Sequence, residues 1–238
     1  MPGIAVIIPT LNEVDAIGKV IAELPKSIVK EIIVADSGST DGTQAAALAA
    51  GARVLELKER GYGRACAAAA EASNPDCDII VFMDGDGADR ADMVERLIVP
   101  LQQGSHDFVI AARARQLREL HSMSVHQVAA GHILGFAIGV LTGTRYTDMC
   151  AFRAIRRDEL KRLKMKEMTY GWNIEMQIKA AQRGLRVLEI PLPYRCRVGG
   201  ESKVAGSVRG TIRASWRIVM TFIRVISSGR STASVRKA

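Results

Sequence analysis

The sequence predicts an α/β fold: a mostly parallel sheet with flanking helices, followed by a basic amphipathic helix near the C-terminal end. Three observations predict it. Short apolar runs alternate with helical patterns through the first half of the chain, polar clusters fall where those runs end, and basic charge concentrates in the last quarter. Alternating strands and helices argue for strands running one way with helical crossovers, and such sheets bind ligands outside the carboxyl ends of their strands.

The elements follow in order. IAVIIP (4–9) reads as a buried strand, with a helix from about Asn12 to Leu24. EIIVAD (31–36) is the second strand, with a helix after Asp41, and RVLEL (53–57) is the third, with a helix through Ala65–Ala72. DIIVFMD (78–84) is the fourth, with a helix over about 91–102, and DFVIAA (107–112) is the fifth. Runs of this length, rich in β-branched residues and bounded by Gly, Asp and Ser, fit strands buried on both faces. After Arg113 the rhythm breaks. Residues 113–127 carry neither a strand nor a helix stripe and read as a mobile loop. A helix, the stretch TRYTDMCAFRAI, a helix over Trp172–Arg183 and two strand-like runs, RVLEI and PLPYRCR, complete the order. The expected division is one α/β domain over 1–205, an amphipathic helix over 206–226 and a disordered tail over 227–238.

Composition narrows the class. At 238 residues and 48% hydrophobic, the chain can bury one sizeable core. Cys66, Cys77, Cys150 and Cys196 form no C-x-x-C pair, which argues against a zinc cage or disulfide framework and for a reducing, cytoplasmic setting. The start, MPGIAVIIPT, lacks the basic region of a signal peptide. The longest near-apolar run, GHILGFAIGVLTG (131–143), is shorter than the roughly 20 residues of a membrane span, so an integral membrane protein is not expected. The net charge of +8 arises in residues 183–238, which hold twelve Lys and Arg against two acids. With 5% aromatics and no nucleic-acid module, that charge is not read as a nucleic-acid surface.

Chemistry gathers at the strand ends. In VFMDGDGADR (81–90), Asp84 and Asp86 lie two residues apart where a buried run stops, so both carboxylates can turn toward one point. Two close anions invite a cation. Carboxylate oxygens suit Mg²⁺ or Mn²⁺, whose remaining ligands are often phosphate oxygens, and Gly85 permits close backbone approach. ADSGSTDGTQ (35–44) supplies hydroxyls and carboxylates suited to ribose and base, although Ser39, Thr40 or Asp41 can equally cap the next helix. ERGYGRAC (59–66) imitates a dinucleotide fingerprint but has Cys66 where the third glycine belongs; Gly61 and Gly63 still allow a turn close to a nucleotide. In RVGGESK (197–203) two glycines free the backbone to fold over a ligand, while Arg197 and Lys203 bring a planar fork and a point charge.

Seven motifs in order, IPTLNE, ADSGSTDGT, GYGRA, FMDGDG, YTDMCAFRAI, YGWNIEMQIKAAQRG and YRCRVGGESKVAG, resemble a family 2 glycosyltransferase of GT-A fold over about residues 3–220. Within that family the chain looks like the dolichol-phosphate (polyprenyl-phosphate) mannosyl- and glucosyltransferase branch. The resemblance implies an inverting hexosyl transfer from a UDP- or GDP-sugar to a lipid phosphate. By position it assigns Pro9, Thr10, Glu13 and Asp36 to the nucleotide and Asp84 and Asp86 to the cation. It also places Asp148 near the acceptor as a proposed base, Arg113 after strand five, and Arg197, Ser202 and Lys203 in a loop closing over phosphates. Two departures stand out: Ala88 where relatives often carry Gln, and His132 where they often carry Asn. An ionised lipid phosphate needs little base help, whereas a hydroxyl acceptor needs Asp148 or Glu175 to take a proton. Each has a plainer use: Asp148 as a turn acid, and Glu175 as a buried partner of Arg153 or Lys179.

The helix 206–226 places Arg209, Arg213, Arg217 and Arg224 on one arc and Val208, Ile212, Trp216, Val219, Phe222, Ile223 and Ile226 opposite. It is read as an interfacial anchor on anionic lipid at the cytosolic membrane face, with docking on the domain or in a homodimer as its other use. Two competing functions remain: a nucleotidyltransferase, which lacks its glycine-rich signature after strand one, and a non-enzymatic binding adaptor, against which the intact DGD argues.

Overall fold

The computed structural model describes residues 3–199 and 208–235, with side chains of the last helix described over 214–227. Seven strands form one sheet: β1 (Gly3–Thr10), β2 (Glu31–Asp36), β3 (Arg53–Glu56), β4 (Cys77–Phe82), β5 (Phe108–Ala112), β6 (Arg153–Arg156) and β7 (Val187–Pro191), in the order β3-β2-β1-β4-β6-β5-β7. β1 runs parallel to β2 and β4, and β2 to β3. The sheet is mostly parallel, as expected, with one antiparallel strand. β6 inserts between β4 and β5 and is antiparallel to both, while β5 pairs in parallel with β7.

The helices are α1 (Val14–Glu23), α2 (Thr43–Ala49), α3 (Tyr62–Ala72), α4 (Val94–Gln102), α5 (Val125–Thr142), α6 (Arg157–Leu163), α7 (Trp172–Gln182) and α8 (Val208–Val235). α1 buries Ala16, Ile17, Val20 and Ile21, the spacing of one helical face, and ends at Leu24, held extended by the following Pro25. The core is the doubly covered centre of the sheet, with Ile4 to Ile8 and Ile79 to Met83 almost fully buried. Burying each large aliphatic side chain contributes about 1.5–3 kcal/mol, which fixes β1 and β4 as neighbours. The order of strand addition switches sides at β1, with β2 and β3 on one side and β4 on the other, so the carboxyl ends of β1 and β4 open a crevice.

Three expectations are corrected. The segment 113–127 is not a featureless loop: it holds a short 3-10 turn, Arg115–Leu117, and the start of α5, where Ser124 and Gln127 form a capping box. PLPYRCR is no strand; Tyr194 makes only isolated bridges to Asp89 and Arg118. α8 does not stop near residue 226 but remains helical to Val235.

α5 also outgrows the apolar run read from sequence. Its 18 residues have a mean hydropathy of 1.4, sufficient by length and composition to cross a membrane, and only 17% of them are buried. Val125, Ile133, Phe136 and Val140 stand exposed. The inner side explains its seat. Gly131, Gly135 and Gly139 recur every four residues, and a Cβ at Gly135 would lie 1.9 Å from the Tyr146 carbonyl oxygen. Glycine lets the helix backbone rest directly on the 145–148 segment.

Candidate active site

At the end of β1, Thr10 Oγ1 donates to Asp36 Oδ2 (3.1 Å) at the end of β2. Asp36 is fully buried, yet its carboxylate also accepts from the Gly38 and Ser39 amides, the Ser39 hydroxyl and Gln44 Nε2. Burial alone would raise its pKa; these hydrogen bonds outweigh it and hold the carboxyl below its ordinary value. The two loops then cross-cap. The Asn12 amide donates to Ser39 Oγ (2.8 Å), the Glu13 amide to Thr43 Oγ1 (2.8 Å) and the Val14 amide to Asp41 Oδ2 (3.1 Å). The residue preceding α2 is Gly42, with no side-chain cap, so Asp41 serves the start of α1 as well as the Thr43 amide. The polar cluster is a rigid rim shared by two strand ends.

The DGD loop follows β4. A Cβ at Gly85 would stand 2.9 Å from Thr10 Cγ2, so glycine is required by the protein's own packing on β1. Asp84 is half-buried, and burial, then the charge of Asp86, pushes its pKa up to about 6. Asp86 is buried; Oδ1 accepts from the Ala88 amide (2.9 Å) and Oδ2 from Arg197 Nη2 (2.7 Å). The same Arg197 nitrogen lies 3.8 Å from Glu13 Oε1. One guanidinium therefore bridges the loops after β1 and β4. The segment behind it is fastened too: the Val198 amide donates to the Asp86 carbonyl, the Arg195 amide to the Ala88 carbonyl, and the Arg195 guanidinium forks onto Glu23.

A second cation enters from β5. Arg113 grips Asp148 through Nε (2.7 Å) and Nη2 (2.6 Å), and its own amide donates to Oδ2 (2.8 Å). Tyr194 lies under the guanidinium, 5.1 Å from ring centroid to Cζ. Burial would raise the Asp148 pKa, but the hydrogen bonds and charge of Arg113 depress it, so this carboxylate is a poor proton acceptor near neutrality. The positive charge of Arg113 is felt by Asp84 and by a carboxylate that sequence reasoning passed over, Asp89. Buried Asp89 accepts from the Asp84 amide (3.3 Å) and the Cys150 thiol (3.7 Å). Burial, then the charges of Asp84 and Asp86, pushes its pKa up to about 8. Its position three residues past Asp86 was a visible signal.

Other predicted residues stand apart. Glu175 accepts from the Lys166 and Glu167 amides and pairs with Lys179 (2.8 Å), so its carboxylate holds the turn before α7 and has no partner among the strand-end residues. Arg153, its other expected partner, is fully buried under the sheet and donates to the Cys150 and Asn173 carbonyls. Gly61 and Gly63 admit the carbonyls of Met168 and Glu167, which would lie 2.4 and 2.3 Å from added Cβ atoms; their bareness serves the fold. Pro9 lies in β1, paired with Ala35, and positions Thr10. Ser202 and Lys203 lie outside the described residues, as do the side chains of Arg209 and Arg213. On α8, Ala214, Thr221 and Val225 are buried, and Thr221 and Arg224 both donate to Glu167. α8 is thus docked on the domain, and Arg224, placed by sequence among lipid-facing arginines, is an internal partner. Trp216, Arg217, Val219, Met220 and Ile223 face outward.

Among the described residues no group of three or more His, Cys, Asp or Glu side chains forms a metal cage. Asp84 and Asp86 offer a divalent cation two carboxylates only. That set fits a hard ion whose remaining ligands are diphosphate oxygens, and a cationic guanidinium already neutralises Asp86. The crevice can accept a diphosphate between two arginines and keep an anionic acceptor near Arg113.

Comparison with known proteins follows this geometry. The family described as Glycosyl transferase family 2 matches residues 5–164. An uncharacterized glycosyltransferase of Mycobacterium tuberculosis (strain ATCC 25618 / H37Rv) is 31% identical over 224 residues, covering 94% of this chain and 98% of that protein. A dolichyl-phosphate hexose transferase of Haloferax volcanii is 32% identical over 201 residues, covering 82% of this chain and 84% of the relative. Among solved structures, glucosyl-3-phosphoglycerate synthase from Mycobacterium tuberculosis in complex with phosphoglyceric acid superposes with a TM-score of 0.75 at 24% identity, over 94% of this chain and 80% of that one.

Proposed function

The chain belongs to glycosyl transferase family 2, and from that premise we propose that it moves a hexosyl group, with inversion, from a nucleotide-sugar to a polyprenyl phosphate. The observation that carries this reading is the convergence of Asp84, Asp86 and Arg197 with the Arg113–Asp148 pair at one crevice. Asp36 orders the rim that receives the nucleoside. Asp84 and Asp86 would hold Mg²⁺ or Mn²⁺, which would supply positive charge against the departing nucleoside diphosphate. Arg197 moves from Asp86 to the phosphates. Arg113, aimed by Asp148, receives the acceptor phosphate. An ionised phosphate is its own nucleophile, which suits a site whose nearest acceptor-side carboxylate is held at low pKa.

Two features support a lipid acceptor: the exposed apolar sides of α5 and α8, and a relative whose name specifies dolichyl phosphate. They favour peripheral attachment at the cytosolic membrane face, with Trp216 and Arg217 of α8 at the lipid boundary. The test is a panel of UDP- and GDP-sugars with Mn²⁺ and a polyprenyl phosphate. Lipid-dependent release of nucleoside diphosphate from one donor, with glycolipid formed, is expected. Donor turnover that ignores the lipid phosphate overturns the acceptor assignment.

A further inference from the structure

We infer that Glu167 is a positioning residue for the cation site, and that the seating of α8 is thereby part of that site's support. This rests on the reading of Asp84 as a cation ligand. Glu167 is buried in the segment that joins α6 to α7. Its Oε1 accepts from the Thr169 amide (3.0 Å) and the Thr169 hydroxyl, and its Oε2 from Thr221 Oγ1 (2.9 Å) and Arg224 Nη2 (2.7 Å) of α8. Burial would raise its pKa, but these donors hold the carboxyl below its ordinary value, so it stays ionised and keeps them all. A Cβ on Gly171 would lie 2.4 Å from Thr221 Oγ1, so glycine lets α8 rest against this segment.

The same segment holds the elements beside Asp84. The Gly63 amide donates to the Thr169 carbonyl (3.3 Å) and the Arg64 amide to the Met168 carbonyl (2.9 Å), which fixes the first turn of α3. The Trp172 amide also donates to the Thr169 carbonyl (3.3 Å), where α7 begins. Each of these first turns carries one further residue: Tyr62 in α3 and Asn173 in α7. The Tyr62 hydroxyl is shut off from solvent and hydrogen-bonded to both Asn173 and Asp84. The Asn173 amide can donate to the phenol oxygen, which leaves the phenol proton for the carboxylate. A hydrogen bond of this kind fixes how a ligating carboxylate faces its ion, and such partners are typically worth about 10–100-fold in metal affinity. Glu167 makes its own hydrogen bonds to Thr169, Thr221 and Arg224, none of them to Asp84. It acts through Tyr62, and α8 acts through Glu167.

The test is a double-mutant cycle read by Mn²⁺ alone, titrated into the full chain and followed as loss of the free-ion paramagnetic resonance signal. Tyr62→Phe and Glu167→Gln should each weaken Mn²⁺ binding about tenfold, and the double variant should also lose only about tenfold, because the two residues act on Asp84 in series. A pair of α8 variants keeps the inference open to refutation should Glu167→Gln fail to fold. Thr221→Val removes one donor to Glu167 and should weaken Mn²⁺ binding about threefold, while Thr221→Ser, which restores the hydroxyl, should recover it. Val225→Ala trims buried volume from α8 and leaves both donors to Glu167 in place. It should lower the melting temperature and hold the Mn²⁺ affinity within about twofold. Losses that multiply to about a hundredfold in the double variant, or a Val225→Ala chain that loses Mn²⁺ as readily as Thr221→Val, would overturn the inference. If the wild type takes up no Mn²⁺, the cation reading itself falls and takes this inference with it, an outcome visible before any variant is made.

Discussion

Arg197→Ala should change two affinities in opposite directions. The guanidinium lies 2.7 Å from Asp86 Oδ2 and 3.8 Å from Glu13 Oε1, so a cation arriving at the DGD loop competes with a charge already there. At an effective dielectric of about 20, that closer contact has a gross attraction of about 6 kcal/mol. The Arg197 side chain is 29% exposed; screening and the cost of desolvation reduce the net to about 1–2 kcal/mol, or roughly tenfold in a dissociation constant. Mn²⁺ alone should therefore bind the variant about tenfold more tightly, read as loss of the free-ion paramagnetic resonance signal on titration. With Mn²⁺ saturating, the nucleotide-sugar should bind at least about tenfold more weakly, because a charge-assisted contact to phosphate is gone. A variant that loses affinity for both, or for neither, refutes the displacement argument.

Three more outcomes are expected. Asp148→Asn cannot accept both prongs of the Arg113 fork, and a misaimed Arg113 should lower turnover roughly a hundredfold with donor affinity nearly unchanged; equal loss of both would make the pair a fold element. Asp89 has a folded-state pKa of about 8, above its unfolded value. Its neutral form thus favours the fold most fully at acid pH, and that contribution is lost as pH rises through about 8. Asp89→Asn should accordingly raise the melting temperature above wild type at pH 9 and give no gain at pH 4, as followed by thermal melts across that range. Trp216→Glu with Ile223→Glu, both outward on α8, should shift stability by no more than about 0.5 kcal/mol each while reducing co-sedimentation with anionic vesicles; unchanged co-sedimentation moves the membrane contact elsewhere.

Much of this was legible because it depends on local chemistry. β1, β2, β4 and β5 announce themselves as apolar runs that are largely buried, β3 as a shorter half-buried one, and the carboxylates that end β2 and β4 are visible as polar stops. β6 was hidden. RAIR carries two arginines, and only tertiary packing shows that Arg153 is fully buried, its charge spread over the Cys150 and Asn173 carbonyls and the Phe108 ring. The Arg113–Asp148 fork joins residues 35 apart in sequence, a distance across which motif reading assigns roles but no contact. The glycines of GYGRA and DGD looked like ligand cradles and prove to be close approaches of the protein's own backbone and Thr10. α5 was underestimated because its glycines, at four-residue intervals, break up the apolar run that its exposed side presents.

The placement of β6 also orders events on the ribosome. By residue 82 the chain has made β1 to β4, every one of which finds a neighbour within that stretch. β5 comes next but has no strand to join. Its partners, residues 153–156 and 187–191, emerge only after α5, and until then the outer edge of β4 also stays open. Unpaired edges template wrong pairings, so a chain stalled between residues 112 and 153 carries three that the finished sheet covers, both sides of β5 and one of β4. The rim of Asp36 and Thr10 can form early. The half of the crevice built by Arg113, Asp148 and Arg197 is assembled last, when the sheet closes around a strand that had been waiting for both its neighbours.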